Sequence, residues 1–152
     1  MDINPDFLAP CGLYCGVCGI YLADRDGNEK FKERLCTVYG TQPEDIHCKG
    51  CLHDDEEAIF FYCRICPIKT CTREKGIDGC HQCDDFPCTL IEEFPMPVGK
   101  KVMLRAIPQW REWGTEKWVA EEIKRYHCPH CGYPLFRGAK RCRQCREPVE
   151  VD

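Results

Sequence analysis

Residues 128–145 read CPHCGYPLFRGAKRCRQC, and the four cysteines of this stretch, Cys128, Cys131, Cys142 and Cys145, are spaced C-x2-C-x10-C-x2-C. Two C-x2-C knuckles joined by a short connection form a tetrahedral four-thiolate site for zinc. Gly132 follows the first knuckle, where a residue without Cβ lets backbone N–H groups turn toward the thiolates. Tyr133, Leu135 and Phe136 predict a short strand and Gly138 a turn, so the expected form is a β-hairpin zinc ribbon. Such an ion replaces the core that a module this small cannot build.

The rest of the chain repeats the theme. It has 16 cysteines in 152 residues, above the roughly 8–10% at which cysteine content marks a cross-linked scaffold. The first residues, MDINPDFLAP, are acidic where a signal peptide would be basic, and no apolar h-region follows. No stretch approaches the ~18 apolar residues of a membrane span. The expected compartment is therefore the reducing cytoplasm, where knuckle-spaced cysteines indicate metal rather than disulfides.

Between residues 48 and 88 pairs give way to triplets. CRICPIKTC (Cys63, Cys66, Cys71) and CHQCDDFPC (Cys80, Cys83, Cys88) are both C-x2-C-x4-C, one metal-binding unit used twice, and CKGC (Cys48, Cys51) precedes them. Pro67 is placed to open a helix running to Lys75 and stopping at Gly76. Pro87 predicts the start of another over CTLIEEF, with Asp84 or Asp85 as its cap. The opening motif, CGLYCGVC at residues 11–18, places Cys11, Cys15 and Cys18 as C-x3-C-x2-C, the spacing with which radical enzymes hold a four-iron cluster. Those enzymes need a parallel barrel behind the cluster, and the alternating strand and helix patterns of a barrel are missing here. The sequence instead predicts a helix over GIYLADRD, a break at Gly27, and a second helix with Phe31, Leu35 and Val38 on one face. An iron–sulfur cluster of another kind is the alternative cofactor at these cysteines.

The succession CGLYCGVCGIYLA, CKGC, CRICPIKTC, KGIDGCHQCDDFPC resembles the cysteine-rich domain of unknown function 3795, a bacterial and archaeal family. The likeness runs from Cys11 to Leu90 and includes eleven cysteines in order, together with Tyr21, Gly50, Ile68 and Pro87. What the resemblance implies is metal binding, by zinc, with no named activity.

The ligands can be grouped in more than one way. One partition joins Cys48, Cys51, Cys63 and Cys66 in one site and Cys71, Cys80, Cys83 and Cys88 in another, leaving Cys11, Cys15 and Cys18 to find a fourth ligand in Cys36, a histidine or water. Another pairs four knuckles into two sites and leaves Cys11, Cys71 and Cys88 for a third. Cys36, alone on the second helix, reads as a small buried thiol. His47, His53, His81, His127 and His130 each lie within two residues of a cysteine, but the thiolates already nearly fill the sites, and no H-x-E or H-E-x-x-H motif marks a hydrolytic zinc.

Residues 90–126 carry organisation. KKVMLRAIPQWREWG reads as a helix interrupted by Pro108, and Thr115 as the cap of a last helix with Val119, Ile123 and Tyr126 on its buried stripe. Trp110, Trp113 and Trp118 read as core rather than base-stacking residues. Charge is uneven: residues 1–99 carry 9 Lys and Arg against 18 Asp and Glu, a balance of −9, and residues 100–152 carry 12 against 7, a balance of +5. Lys124, Arg125, Arg137, Lys140, Arg141, Arg143 and Arg146 fall in a run without an acidic residue, a basic patch suited to phosphates.

The expected fold class is a small metal-stabilised α+β protein with short helices and zinc knuckles in its core. The expected divisions are a cysteine-rich multi-metal domain at 1–95, a helical connector at 96–126 and the zinc ribbon at 127–152. At least three zinc ions, or four, are expected. The expected function is that of a binding or interaction module with a protein or nucleic-acid partner at the basic ribbon and no membrane contact. An iron–sulfur redox protein or enzyme is the alternative.

Overall fold

A computed structural model describes residues 2–152. Seven α-helices carry the chain: α1 Gly19–Arg25, α2 Glu29–Tyr39, α3 Phe61–Arg64, α4 Pro67–Lys75, α5 Thr89–Glu92, α6 Pro97–Trp113 and α7 Thr115–Arg125. Short 3-10 turns punctuate the cysteine-rich segments, including Cys15–Val17 and Cys80–Gln82. Among the described residues no helix is long and apolar enough to cross a membrane.

The expected α+β class and β-hairpin ribbon are overturned: among the described residues there is no strand, only isolated bridges between His127 and Pro134 and between Arg141 and Pro148. Each bridge is closed by the two backbone bonds that flank it: the Cys128 N–H to the Tyr133 carbonyl and the Leu135 N–H to the Tyr126 carbonyl, both at 2.8 Å, and the Cys142 N–H to the Glu147 carbonyl and the Val149 N–H to the Lys140 carbonyl, both at 3.0 Å. The turn of each knuckle begins directly after the bridged residue, so the pairing extends no further.

Local signals account for most helix limits. The Asn28 side chain accepts from the Phe31 N–H at 3.1 Å and so caps α2, which ends at Gly40 with φ of 67°. Phe31 and Leu35 are buried, but Val38 is 66% exposed. The buried face continues instead through Tyr39, whose ring lies 5.4 Å from that of Phe60. Helix α4 starts at Pro67 and stops at Gly76 in the left-handed conformation, as its sequence predicts. Pro87 does not open α5; it follows Phe86 across a cis bond, and Cys88 is the residue before the helix.

Helix α6 runs through Pro108 without a break. The bond lost at a helical proline is to the fourth preceding carbonyl, here that of Leu104, which lies on the partly exposed side. Burial of Val102, Met103, Ala106, Ile107 and Trp110 along the opposite face outweighs that loss. Gly114 turns the chain into α7, and Thr115 accepts from the Trp110 indole N–H at 2.9 Å rather than capping its own helix. The stripe of α7 is Trp118, Val119 and Glu122, with Ile123 at its exposed margin.

Two apolar cores result. The larger joins Tyr14, Ile68, Ile91, the inner faces of α6 and α7, and Leu135, Ala139 and Val149 from the C-terminal segment. The smaller gathers Ile20, Leu22, Phe31, Leu35, Ile46, Ile59 and Phe60 around α1 and α2. Trp118 is stacked on Trp110 at 4.1 Å between centroids, and His81 covers the other side of Trp110 at 3.7 Å. Both tryptophans are buried, so they serve the core.

Candidate metal centres

The C-terminal segment folds as two like turns. In the first, the Cys128 N–H donates to the Tyr133 carbonyl at 2.8 Å, and the Cys128 carbonyl accepts from the Gly132 N–H at 2.8 Å. In the second, the Cys142 N–H donates to the Glu147 carbonyl and the Cys142 carbonyl accepts from the Arg146 N–H, each at 3.0 Å. The residue after each knuckle must take positive φ, 77° at Gly132 and 65° at Arg146, the latter without the relief of a missing Cβ. The His130 N–H points to the Cys128 Sγ and the Gln144 N–H to the Cys142 Sγ, both at 3.4 Å.

The four sulfurs of Cys128, Cys131, Cys142 and Cys145 all lie within 4.8 Å of one another, with 3.7 Å between Cys128 and Cys145 and 3.6 Å between Cys131 and Cys142. A tetrahedral zinc with Zn–S of about 2.3 Å sets its sulfurs roughly 3.8 Å apart, so the quartet fits one such ion. This four-cysteine group can bind a metal ion. Among the described residues no other group of three or more His, Cys, Asp or Glu side chains closes to that spacing.

A second quartet surrounds a cavity of about 20 Å3. Cys71 from α4, Cys80 at the start of the 3-10 turn, Cys83 just after it and Cys88 before α5 share its wall with Ile68, Phe86 and Ile91. Lys75 donates to the Cys83 Sγ at 3.2 Å and to Asp85 at 2.9 Å. Arg111 of α6 fixes the turn by donating to the carbonyls of His81 at 2.8 Å and Cys83 at 2.7 Å. Burial, then the neighbouring thiols of Cys88, Cys83 and Cys71, push the Cys80 thiol up to about 12. A coordinated metal reverses that penalty, because it binds the thiolate.

Two of the remaining knuckles, 15/18 and 48/51, touch. The Cys51 N–H points to the Cys15 Sγ at 3.4 Å, and the Gly50 N–H to the Cys48 Sγ at 3.4 Å. Gly50 needs its missing side chain: at φ of 123° a Cβ would stand 2.8 Å from the Asp6 carbonyl. Cys36, like Cys18 and Cys63, packs against the smaller core. All sixteen cysteines are free thiols.

Two residues of this region give no signal in the sequence. Lys69 is 3% exposed and donates to the Cys51 carbonyl at 2.9 Å. Arg137, expected on a basic surface, turns inward and donates to the Tyr14 carbonyl at 3.1 Å. Arg143 lies over Phe31 at 4.3 Å, at the edge of an open cleft of about 350 Å3 whose walls include Phe7, Tyr14, Tyr21, Tyr126 and Tyr133. Among the histidines, His81 is held by its stacking, the His127 ring lies 2.8 Å from the Ile123 carbonyl, and His53 accepts from the Asp55 N–H at 3.1 Å.

Searches against curated proteins and against solved structures give no match. A family model described as a protein of unknown function, DUF3795, matches residues 7–93, the span that carries every cysteine outside the C-terminal quartet. The chain therefore belongs to the DUF3795 family, extended at its C-terminus by a further group of four cysteines.

Proposed function

We propose that the protein is a zinc-binding interaction module whose metal is structural. The observation that carries this reading is the closed C-terminal quartet: four thiolates complete a tetrahedral ion and leave no position for water or substrate. Thiolate-only ligation of tetrahedral form favours zinc over harder metals. The cavity among Cys71, Cys80, Cys83 and Cys88 is lined by four thiols, a donor set that supports a second ion there. Elemental analysis of the anaerobically purified full chain should find three or more zinc ions and no iron, and Cys142→Ser should remove one of them. One zinc or fewer in a folded chain, or a brown, iron-containing preparation, would sink the reading.

The partner surface belongs to the same proposal. Lys124, Arg125, Lys140, Arg141 and Arg146 are exposed and, among the described residues, form no ion pair with a carboxylate. A rigid basic array binds nucleic-acid phosphates by releasing counterions, and about four contacts would cost about 100-fold in affinity between about 50 and 200 mM salt. Binding of RNA and DNA by the full chain should show this dependence. Changing Lys124, Lys140 and Arg146 to Gln should flatten it; equal binding by parent and variant would assign the surface to a protein partner instead.

A further inference from the structure

The open cleft beside Arg143 has one wall from each part of the chain. Phe7, Tyr14 and Tyr21 come from the region that the DUF3795 model matches, and Tyr126, His127 and Tyr133 come from the end of α7 and the first C-terminal turn. Arg137 fixes the walls to each other, because its N–H donates to the Val17 carbonyl at 2.9 Å and its guanidinium to the Tyr14 carbonyl at 3.1 Å. The cleft is therefore formed before any ligand arrives, which lowers the cost of binding one. At about 350 Å3 it falls within the roughly 300–1,000 Å3 of small-ligand sites.

The rings of the first wall pack on one another, Phe7 on Tyr21 at 4.6 Å and Phe7 on Tyr14 at 6.2 Å between centroids. Among the described residues none of them pairs with Tyr133 across the cleft, so a planar group can enter between the walls. Tyr14 is 5% exposed, yet its hydroxyl has no hydrogen-bond partner among the described residues and is open to the cleft. That hydroxyl lies over Gly16, where a Cβ would stand 2.8 Å from it. A tyrosine this deeply buried usually finds a partner for its O–H, and here the acceptor is left for a ligand to supply. Charge at the mouth is positive. Arg143 lies 4.3 Å from the Phe31 centroid and 5.8 Å from that of Tyr133, and among the described residues no carboxylate pairs with it. Arg25 lies 5.9 Å from the Tyr21 centroid but is held by Asp26 at 2.8 Å. The exposed Lys124 and Arg125 follow Ile123, which lines the second wall.

We infer that this cleft takes an unpaired base of a single-stranded nucleic acid between Tyr21 and Tyr133, with the Tyr14 hydroxyl donating to the base edge and Arg143 at the adjoining phosphate. Aromatic side chains flanked by cations accept any base through its π-face. A duplex keeps its bases stacked inside the helix, so it can meet the basic array but not the cleft. The inference rests on the basic C-terminal surface proposed above as the phosphate-binding site, and it names the form of nucleic acid which that surface serves.

The test uses the full, zinc-loaded chain and a fluorescent oligonucleotide of mixed sequence, single-stranded or annealed to its complement. The single strand should bind about 10-fold more tightly, the scale of one stacked base. Tyr21→Leu and Tyr133→Leu should each lower that affinity about 10-fold and leave duplex binding unchanged. Tyr14→Phe, which removes only the hydroxyl, should lower it about 3-fold. An oligonucleotide carrying iodouracil, which couples on irradiation to an aromatic side chain stacked on it, should label Tyr21 or Tyr133. The labelling is read on the unchanged chain, so it does not depend on how either variant folds. Equal affinity for the two forms, or labelling that spares both rings, overturns the inference and leaves the basic surface standing. Unchanged single-strand binding by both leucine variants overturns it as well. If neither form binds in a salt-dependent way, the basic surface fails together with the cleft, and the zinc content alone then decides the rest of the proposed function.

Discussion

Removing metal from the full chain at neutral pH is expected to abolish its far-ultraviolet helical signal, an effect larger than that of any single core substitution. Helices α1 to α5 have eleven residues or fewer and lie between or beside cysteine knuckles, whereas α6 is the one long helix, with 17, and α7 packs on it with 11. Isolated helices shorter than about 12–15 residues are marginal in water, so α1 to α5 depend on what holds their ends. Each structural zinc contributes on the order of 10 kcal/mol, against a net stability of roughly 5–15 kcal/mol for a whole domain. Loss of even one ion therefore removes most of that margin. Circular dichroism during titration with a strong chelator, with released zinc followed by an indicator dye, checks the expectation. Because none of the sixteen cysteines is in a disulfide, a reductant without chelator should leave the signal unchanged. A helical spectrum that survives complete removal of zinc would show that the two apolar cores suffice.

How much of this was legible in the sequence depended on how local the cause was. Pro67 and Gly76 bound α4 as read, because φ at both ends is decided by the residues themselves. Pro108 misled for the opposite reason: its local penalty is real, but five buried side chains of α6 outweigh it, and their burial depends on α7 and the 80–83 turn. The expected ribbon strand shrinks to one bridge beside each knuckle because the knuckle turn begins directly after the bridged residue, a limit of length that spacing between cysteines does not reveal. Spacing did identify the C-terminal quartet, whose four ligands lie within 18 consecutive residues. The core cysteines were harder, since Cys15 and Cys51 meet only through the tertiary fold. Lys69 and Arg137 read as surface charge in any one-dimensional pattern; only their neighbours show them turned inward, next to thiols.

Arg105→Met is expected to destabilise the chain by about 3–5 kcal/mol, the cost of leaving a buried charge without its partner. The charge concerned is Glu122, 1% exposed on the inner face of α7, which receives a bidentate guanidinium from Arg105 of α6. The same arginine donates to Gln109 at 2.9 Å and to Asp152 at 3.2 Å, and Asp152 accepts from the Tyr126 hydroxyl at 3.2 Å. One side chain thus ties α6, α7 and Asp152 together, next to the Trp110 and Trp118 stack. Urea unfolding of the metal-loaded protein measures the loss. Adding Glu122→Leu to the Arg105→Met chain should recover most of it, because an apolar pair of similar volume is often neutral or stabilising where a broken ion pair is not. Acid provides a second readout. Burial would push the Asp152 carboxyl up, but Arg105 and then Arg125 outweigh it and hold it below the usual carboxylate range. Its contribution is therefore complete above an unfolded pKa of about 3.9 and is lost as pH falls through the lower folded value. The Arg105→Met chain should lack most of that acid-sensitive increment. If instead the single variant is as stable as the parent and its acid profile is unchanged, the contact between α6 and α7 is held by its apolar surface alone.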